Sequence, residues 1–233
     1  MMKNKKIFAV IFTLTMFFLV NVSTSSASEV VLNETEIEKL RKNYTSLGID
    51  EVTGEKLIQK VLNGELLDSQ NPDKIKEKEL NFLPNSETNI IEFDDGSRIS
   101  LQMVEEEATS ISSFGYTEVP TSRSCTGGSG YNYCTVTVKY NDMVWDISYK
   151  TTVTRIQGGQ TLITAPEDLY VDMVLYSWET LESKVTNEWS TNSTPARAVW
   201  KFKATQRTGL YTITRDLAVY ADNSSVYARL EWQ

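Results

Sequence analysis

Histidine, cysteine and the carboxylates set how much covalent or acid–base chemistry a chain can do, and here the supply is narrow. The 233 residues include no histidine and only two cysteines, Cys125 and Cys134. His-based triads, imidazole metal sites and histidine pH switches are therefore excluded. The cysteines enclose Thr126-Gly127-Gly128-Ser129-Gly130-Tyr131-Asn132-Tyr133, a ring whose glycines make it easy to close. Their spacing is not that of a CxxC redox pair, and two thiolates are too few for an all-cysteine zinc site. The expectation is a structural disulfide. Gly127-Gly128-Ser129-Gly130 is neither a phosphate loop, since no Lys-Ser/Thr follows, nor a nucleophile elbow, since position 131 is tyrosine.

Carboxylates are the acid–base option that remains. Asp142, Asp146, Asp168 and Asp172 fall in one region, and a pair of them could in principle cleave glycosides. Acids at turns and on solvated strand faces are commonplace, however, and 31 Asp+Glu dilute any pattern, so no catalytic residue is assigned. Asp94-Asp95-Gly96 reads as a hairpin turn, the EF-hand spacing being absent. No metal or cofactor is expected. Aromatic residues carry the strongest skew: all five tryptophans and nine of the eleven tyrosines lie within 131–233. Trp145 and Trp200 share a face with aliphatic residues and belong to a core. Trp178 and Trp189 have polar neighbours and are the candidate ligand contacts, because an indole offers an apolar face with a polar tip. Arg215 interrupts an apolar strand face and is expected at an edge strand or the end of the core, paired to an acid.

The elements that must position these residues divide the chain into unlike parts. Residues 1–27 read as a secretory signal peptide: Lys3, Lys5 and Lys6, an apolar stretch from Ile7 to Val20, then Ser25-Ser26-Ala27. Removing three lysines takes the formal charge from −8 to −11. Such acidity disfavours nucleic acid and anionic lipid. No stable membrane anchor is expected after cleavage, and an exported chain can form the disulfide.

Residues 28–80 form a helical hairpin region. Asn33 and Glu36 make a capping box before Ile37, Leu40, Tyr44 and Leu47, and Gly48 ends that helix. A second helix starts near Thr53, buries Leu57, Ile58, Val61 and Leu62, and stops at Asn63-Gly64. Asp68-Ser69-Gln70-Asn71-Pro72 reads as a loop. Residues 81–124 hold a β-hairpin around Asp95-Gly96 and then a linker, with a domain boundary expected inside 105–124. Residues 125–233 alternate with period two between turn signals, the pattern of an antiparallel sandwich or barrel-like domain. The fold class is α+β, mainly β.

Leu47-Gly48-Ile49-Asp50-Glu51, Leu57-Ile58-Gln59-Lys60, Asn63-Gly64-Glu65, Asp68-Ser69-Gln70-Asn71-Pro72 and Pro195-Ala196-Arg197-Ala198 resemble segments of uncharacterised secreted proteins of Gram-positive bacteria. The resemblance implies an extracellular location and a bacterial source, and it carries over no catalytic residue. Together these readings point to a secreted, non-enzymatic binding module at or near the cell surface. Its partner would be a glycan, a cell-wall component or a protein. A carboxylate-dependent hydrolase and a membrane-active, bacteriocin-like toxin are the alternatives.

Overall fold

Residues 31–78, 88–105 and 124–232 are described by the computed structural model. The expected signal peptide and most of the expected linker lie outside them. Each long helix begins at a side chain that accepts an otherwise free N–H. Before α1 (Glu34–Ser46), Asn33 accepts from Glu36 N at 2.9 Å while Glu36 accepts from Asn33 N at 3.0 Å. Before α2 (Glu51–Leu62), Asp50 accepts from Thr53 N at 3.0 Å. Gly48 and Gly64 follow the two helices at φ +68° and +77°, a geometry that other residues adopt only with strain. A methyl group on Gly54 would stand 2.6 Å from the Tyr44 ring, so the hairpin closes tightly where α2 has no side chain. The expected loop holds regular turns. A 3-10 turn at Asp68–Gln70 leads into α3 (Pro72–Glu77), whose one buried anchor is Ile75. One apolar residue in six gives no period to read.

The remaining elements are strands. β1 (Thr88–Glu92) and β2 (Arg98–Glu105) flank the Asp94-Asp95-Gly96 turn, with Gly96 at φ +83°. They are followed by β3 (Ser124–Gly128), β4 (Tyr131–Asn141), β5 (Trp145–Ile156), β6 (Thr161–Ile163) and β7 (Glu167–Met173). Then come β8 (Tyr176–Asn187), β9 (Ala196–Gln206), β10 (Thr212–Ala221) and β11 (Val226–Trp232). The larger sheet runs β1-β2-β4-β5-β6; β3 shares one edge of β4 with β2, and β7 shares one edge of β5 with β6. The smaller sheet runs β11-β10-β9-β8, and both sheets are antiparallel. Ladder pairs from Ser100↔Asn141 to Glu105↔Val136 join β2 to β4. The hairpin is therefore part of the large sheet, not a unit ahead of the β-domain. Pairing between residues far apart in sequence overrides the boundary that local composition suggested.

The sheets face each other across one core. Val136, Val138, Tyr140, Ile147 and Tyr149 of the large sheet meet Trp200, Phe202, Leu217 and Val219 of the small one. Ala196, Ala198 and Ala204 are buried on the same face of β9. In the same core the ring of Trp145 meets Phe202 at 5.8 Å and Tyr176 at 5.3 Å, both edge-on. Met143 occupies the β4–β5 turn at φ +77°. Arg215, expected at an edge strand or the end of the core, is on the interior strand β10, buried at the end of the core near the helices, where it reaches Gln70 O at 3.4 Å and feels the charge of Asp142.

Helices α1 to α3 close one end of this sandwich. Leu40, Leu57, Ile58, Leu67 and Ile75 join the same apolar cluster as the strands. Polar bonds fix the seam: Asn43 Nδ2 donates to Met143 O at 2.8 Å, and Tyr176 OH donates to Gln70 Oε1 at 3.3 Å. Lys39 pairs with Asp172 at 2.8 Å, and Arg207 pairs with Glu36. Asp95 accepts from Ser97 N and Asp68 N, both at 2.9 Å, and pairs with Lys60 at 2.8 Å. The β1–β2 turn is thereby tied to the helices.

Beneath the seam Asp142 is fully buried. It accepts from Trp145 N at 2.8 Å, Val144 N at 3.1 Å and Tyr140 OH at 2.9 Å. Burial pushes its carboxyl up to about 6, against those hydrogen bonds and Arg215, which favour the charged form. An unfolded aspartate titrates near 3.9, so from about pH 4 to 6 the folded chain holds the extra proton and stability falls as pH rises. Asp142→Asn keeps an acceptor oxygen and removes the titration. The urea midpoint of this variant should be flatter than wild type across that window; an unaltered slope would assign the pH dependence to other groups.

Candidate functional site

In an antiparallel ladder, directly opposed residues point to the same side of the sheet. That rule assembles a patch on the outer side of the large sheet, at the end away from the helices. Tyr133 of β4 lies beside Thr154 of β5, Thr154 beside Leu162 of β6, and Leu162 beside Trp189. On the other flank Tyr133 faces Thr126 of β3. One row towards the tip, Tyr131 lies between Gly128 and Ile156. One row inward, Thr135 faces Thr152. Tyr131, Tyr133, Ile156 and Trp189 are 48%, 39%, 41% and 38% exposed. At the usual strand spacing, Tyr133 and Trp189 stand about 14 Å apart.

Three local devices build this patch. The disulfide joins Cys125 and Cys134 as a directly opposed pair, fastening β3 to β4. Cys134 is buried, in line with Val136 and Val138 on the inner side, so the alternate residues Tyr131 and Tyr133 face out. Gly128 is the second device. A methyl group there would stand 2.6 to 3.0 Å from Cε1, Cζ and Oη of Tyr131, so the phenol end of that ring packs directly on Gly128. The third is a crossover. After β8 the chain leaves the small sheet, and Glu188 to Ser190 pair with β6 through Ile163 N to Glu188 O at 3.1 Å and Ser190 N to Thr161 O at 2.7 Å. Trp189 thereby joins the large sheet.

The structure thus separates the two tryptophans singled out by the sequence. Trp178 lies opposite the buried Ala204 on β9, and its ring meets Trp200 edge-on at 6.2 Å. It faces the core, yet it is 45% exposed because β8 is an edge strand. Eleven residues along the chain, roughly 35 Å when extended, divide it from Trp189, so the two share no surface. Tyr131 and Tyr133 were not singled out as contacts. Their signal was positional: they alternate with Cys134 and Val136, so a core-facing disulfide turns them outward.

The four aspartates do not assemble. Asp142 is buried in its turn, and Asp168, at φ +50°, pairs with Lys150 at 3.6 Å. Asp146 and Asp172 are directly opposed on β5 and β7, but each is bound to its own lysine, Lys139 at 3.2 Å and Lys39 at 2.8 Å. Asp172 therefore serves the helix–sheet seam. The outer side of the small sheet is richer in charge. Arg197 Nε donates to the Tyr220 oxygen at 2.9 Å and Nη2 to Glu231 at 2.7 Å, while the Tyr220 hydroxyl donates to Glu231. Tyr220 stacks on Tyr227 with centroids 5.1 Å apart, and the Arg229 guanidinium lies 5.4 and 5.1 Å from the two rings. These groups satisfy one another, a bracing of the sheet surface. Among the described residues, no cluster of acidic or cysteine side chains could hold a metal ion.

Comparison of the chain with known protein families, curated proteins and solved structures gave no match. Function must be argued from the geometry. Replacing both cysteines with alanine should lower stability by roughly 2–3 kcal/mol in urea titrations. It should also expose β3 amides to hydrogen exchange while the β4–β5 ladder stays protected. Undiminished protection in β3 would mean that strand pairing alone holds this arm.

Proposed function

We propose that the chain is a secreted bacterial protein that acts outside the cell by holding a partner, without turnover, on the aromatic patch of the large sheet. The observation carrying this reading is the patch itself. Three neighbouring rows expose two tyrosines, a tryptophan and an isoleucine, and contain no Asp, Glu, Lys or Arg, in a chain that is 23% charged. Exposed apolar side chains gathered on one face mark contact surfaces, and Trp and Tyr dominate the energetics of such contacts. The disulfide supports an oxidising compartment, as does the leader read at residues 1–27. No helix among the described residues is long and apolar enough to cross a membrane. The acidic charge weighs against nucleic acid as the partner. For the hydrolase alternative, Asp146 and Asp172 are neighbours across β5 and β7, but each carboxylate is paired with its own lysine, and Asp142 and Asp168 lie apart from them.

The test uses the mature chain from residue 28 and purified Gram-positive cell walls. The wild type should co-sediment with the walls. Tyr133→Ala and Trp189→Ala should each weaken association at least about tenfold, the loss typical of a contact hot spot. Lys184→Ala, on the small sheet, should match wild type. Patch variants that co-sediment normally would refute the assignment of the binding surface.

A further inference from the structure

Resting on that reading, we infer that the patch takes an uncharged polysaccharide, laid across the strands from Tyr133 towards Trp189. Three features of the surface select this ligand class. The first is charge. The rows Gly128–Tyr131–Ile156, Thr126–Tyr133–Thr154–Leu162–Trp189 and Thr135–Thr152 contain no ionisable group other than the two phenols. A polyanion finds no cation there and meets an acidic protein around it; a polycation finds no carboxylate in the rows. The second is ring geometry. Tyr131 rests the phenol end of its ring on Gly128 while nearly half of the residue stays exposed, and Tyr133 and Trp189 bracket a span of about 14 Å. A sugar ring has an apolar face of C–H groups that packs on such a ring, and a chain of sugars repeats that face along its length. The third is the supply of hydroxyls. Among the described residues, Thr126, Thr135, Thr152 and Thr154 make no side-chain hydrogen bond to the protein, so each can rotate to donate to or accept from a sugar hydroxyl. A protein partner would be expected to bury apolar anchors against a patch with some depth, whereas this one is a pleated sheet surface edged by hydroxyls.

The experiment measures electrophoretic retardation of the mature chain in gels containing soluble β-glucan, xylan or mannan, with polygalacturonate as the anionic control. It also measures co-sedimentation with cell walls treated either with periodate, which destroys sugar diols, or with protease. Retardation by at least one uncharged polymer is expected, and none beyond charge effects by polygalacturonate. That retardation should persist in about 1 M salt, where the screening length is about 3 Å. Trp189→Ala and Tyr133→Ala should weaken it at least about tenfold, while Tyr133→Phe, which keeps the ring, should retain most of it. Periodate should abolish wall binding and protease should spare it. Patch-dependent wall binding that survives periodate and is lost to protease would overturn the polysaccharide inference and leave the binding surface standing. Wall binding that ignores Tyr133→Ala and Trp189→Ala would remove the surface itself. Circular dichroism of each variant separates lost contact from lost fold, and Trp189→Phe supplies a conservative replacement should the alanine variant unfold.

Discussion

The alternation of β4 and β5 is the constraint on which the molecule depends. These strands pair without a break from Tyr131↔Ile156 to Asn141↔Asp146, and every residue in that ladder is committed to one of two environments. One parity supplies Val136, Val138, Tyr140, Ile147 and Tyr149 to the core; the other supplies Tyr131, Tyr133, Thr135, Thr152 and Thr154 to the outer side. A slip by one residue would exchange the two sets, placing threonines in the core and valines in water. The cost of that exchange is what fixes the patch. Its residues stay in place because their neighbours in sequence cannot leave the interior.

Much of this was legible from the chain alone, and the reasons differ by element. The capping box at Asn33 and Glu36 and the glycines after the first two helices are local signals, and local signals survive into the structure. The same holds for the hairpin around Asp94-Asp95-Gly96 and the faces of Trp145 and Trp200. What escaped was set by partners distant in sequence. The hairpin's membership of the large sheet depends on β4, and Arg215's burial depends on β11 and on the carbonyl of Gln70. The patch followed the same rule: β5, β6, β7 and β8 separate Tyr133 from Trp189 along the chain, and nothing near either residue announces the other. The tryptophan skew marks the indoles, while the alternation around Cys134 places the tyrosines.

The two outer sheet surfaces solve the problem of exposure differently. On the small sheet, aromatic rings are covered by guanidinium groups and hydroxyls are occupied by carboxylates, so polar and apolar parts satisfy one another within the protein. On the large sheet near the disulfide, rings and hydroxyls are left to solvent. The edge strand β8 shows a third arrangement. Its register shifts twice, between Thr180 and Glu182 and between Val185 and Asn187, and it carries Glu179, Glu182 and Lys184. Bulges and charges of this kind discourage a neighbouring chain from adding a strand. The small sheet is protected and the large one exposed, so the two outer surfaces are unlike.

The passage of Glu188 to Ser190 from one layer to the other has a mechanical consequence. Trp189 is delivered to the large sheet by a chain rooted on both sides in the small one, through β8 and β9. Sliding of the layers would strain the hydrogen bonds that tie Glu188 and Ser190 to β6, because the chain on either side of them is held in the small sheet. The spacing of Tyr133 and Trp189 is therefore tied to how the halves of the sandwich are aligned.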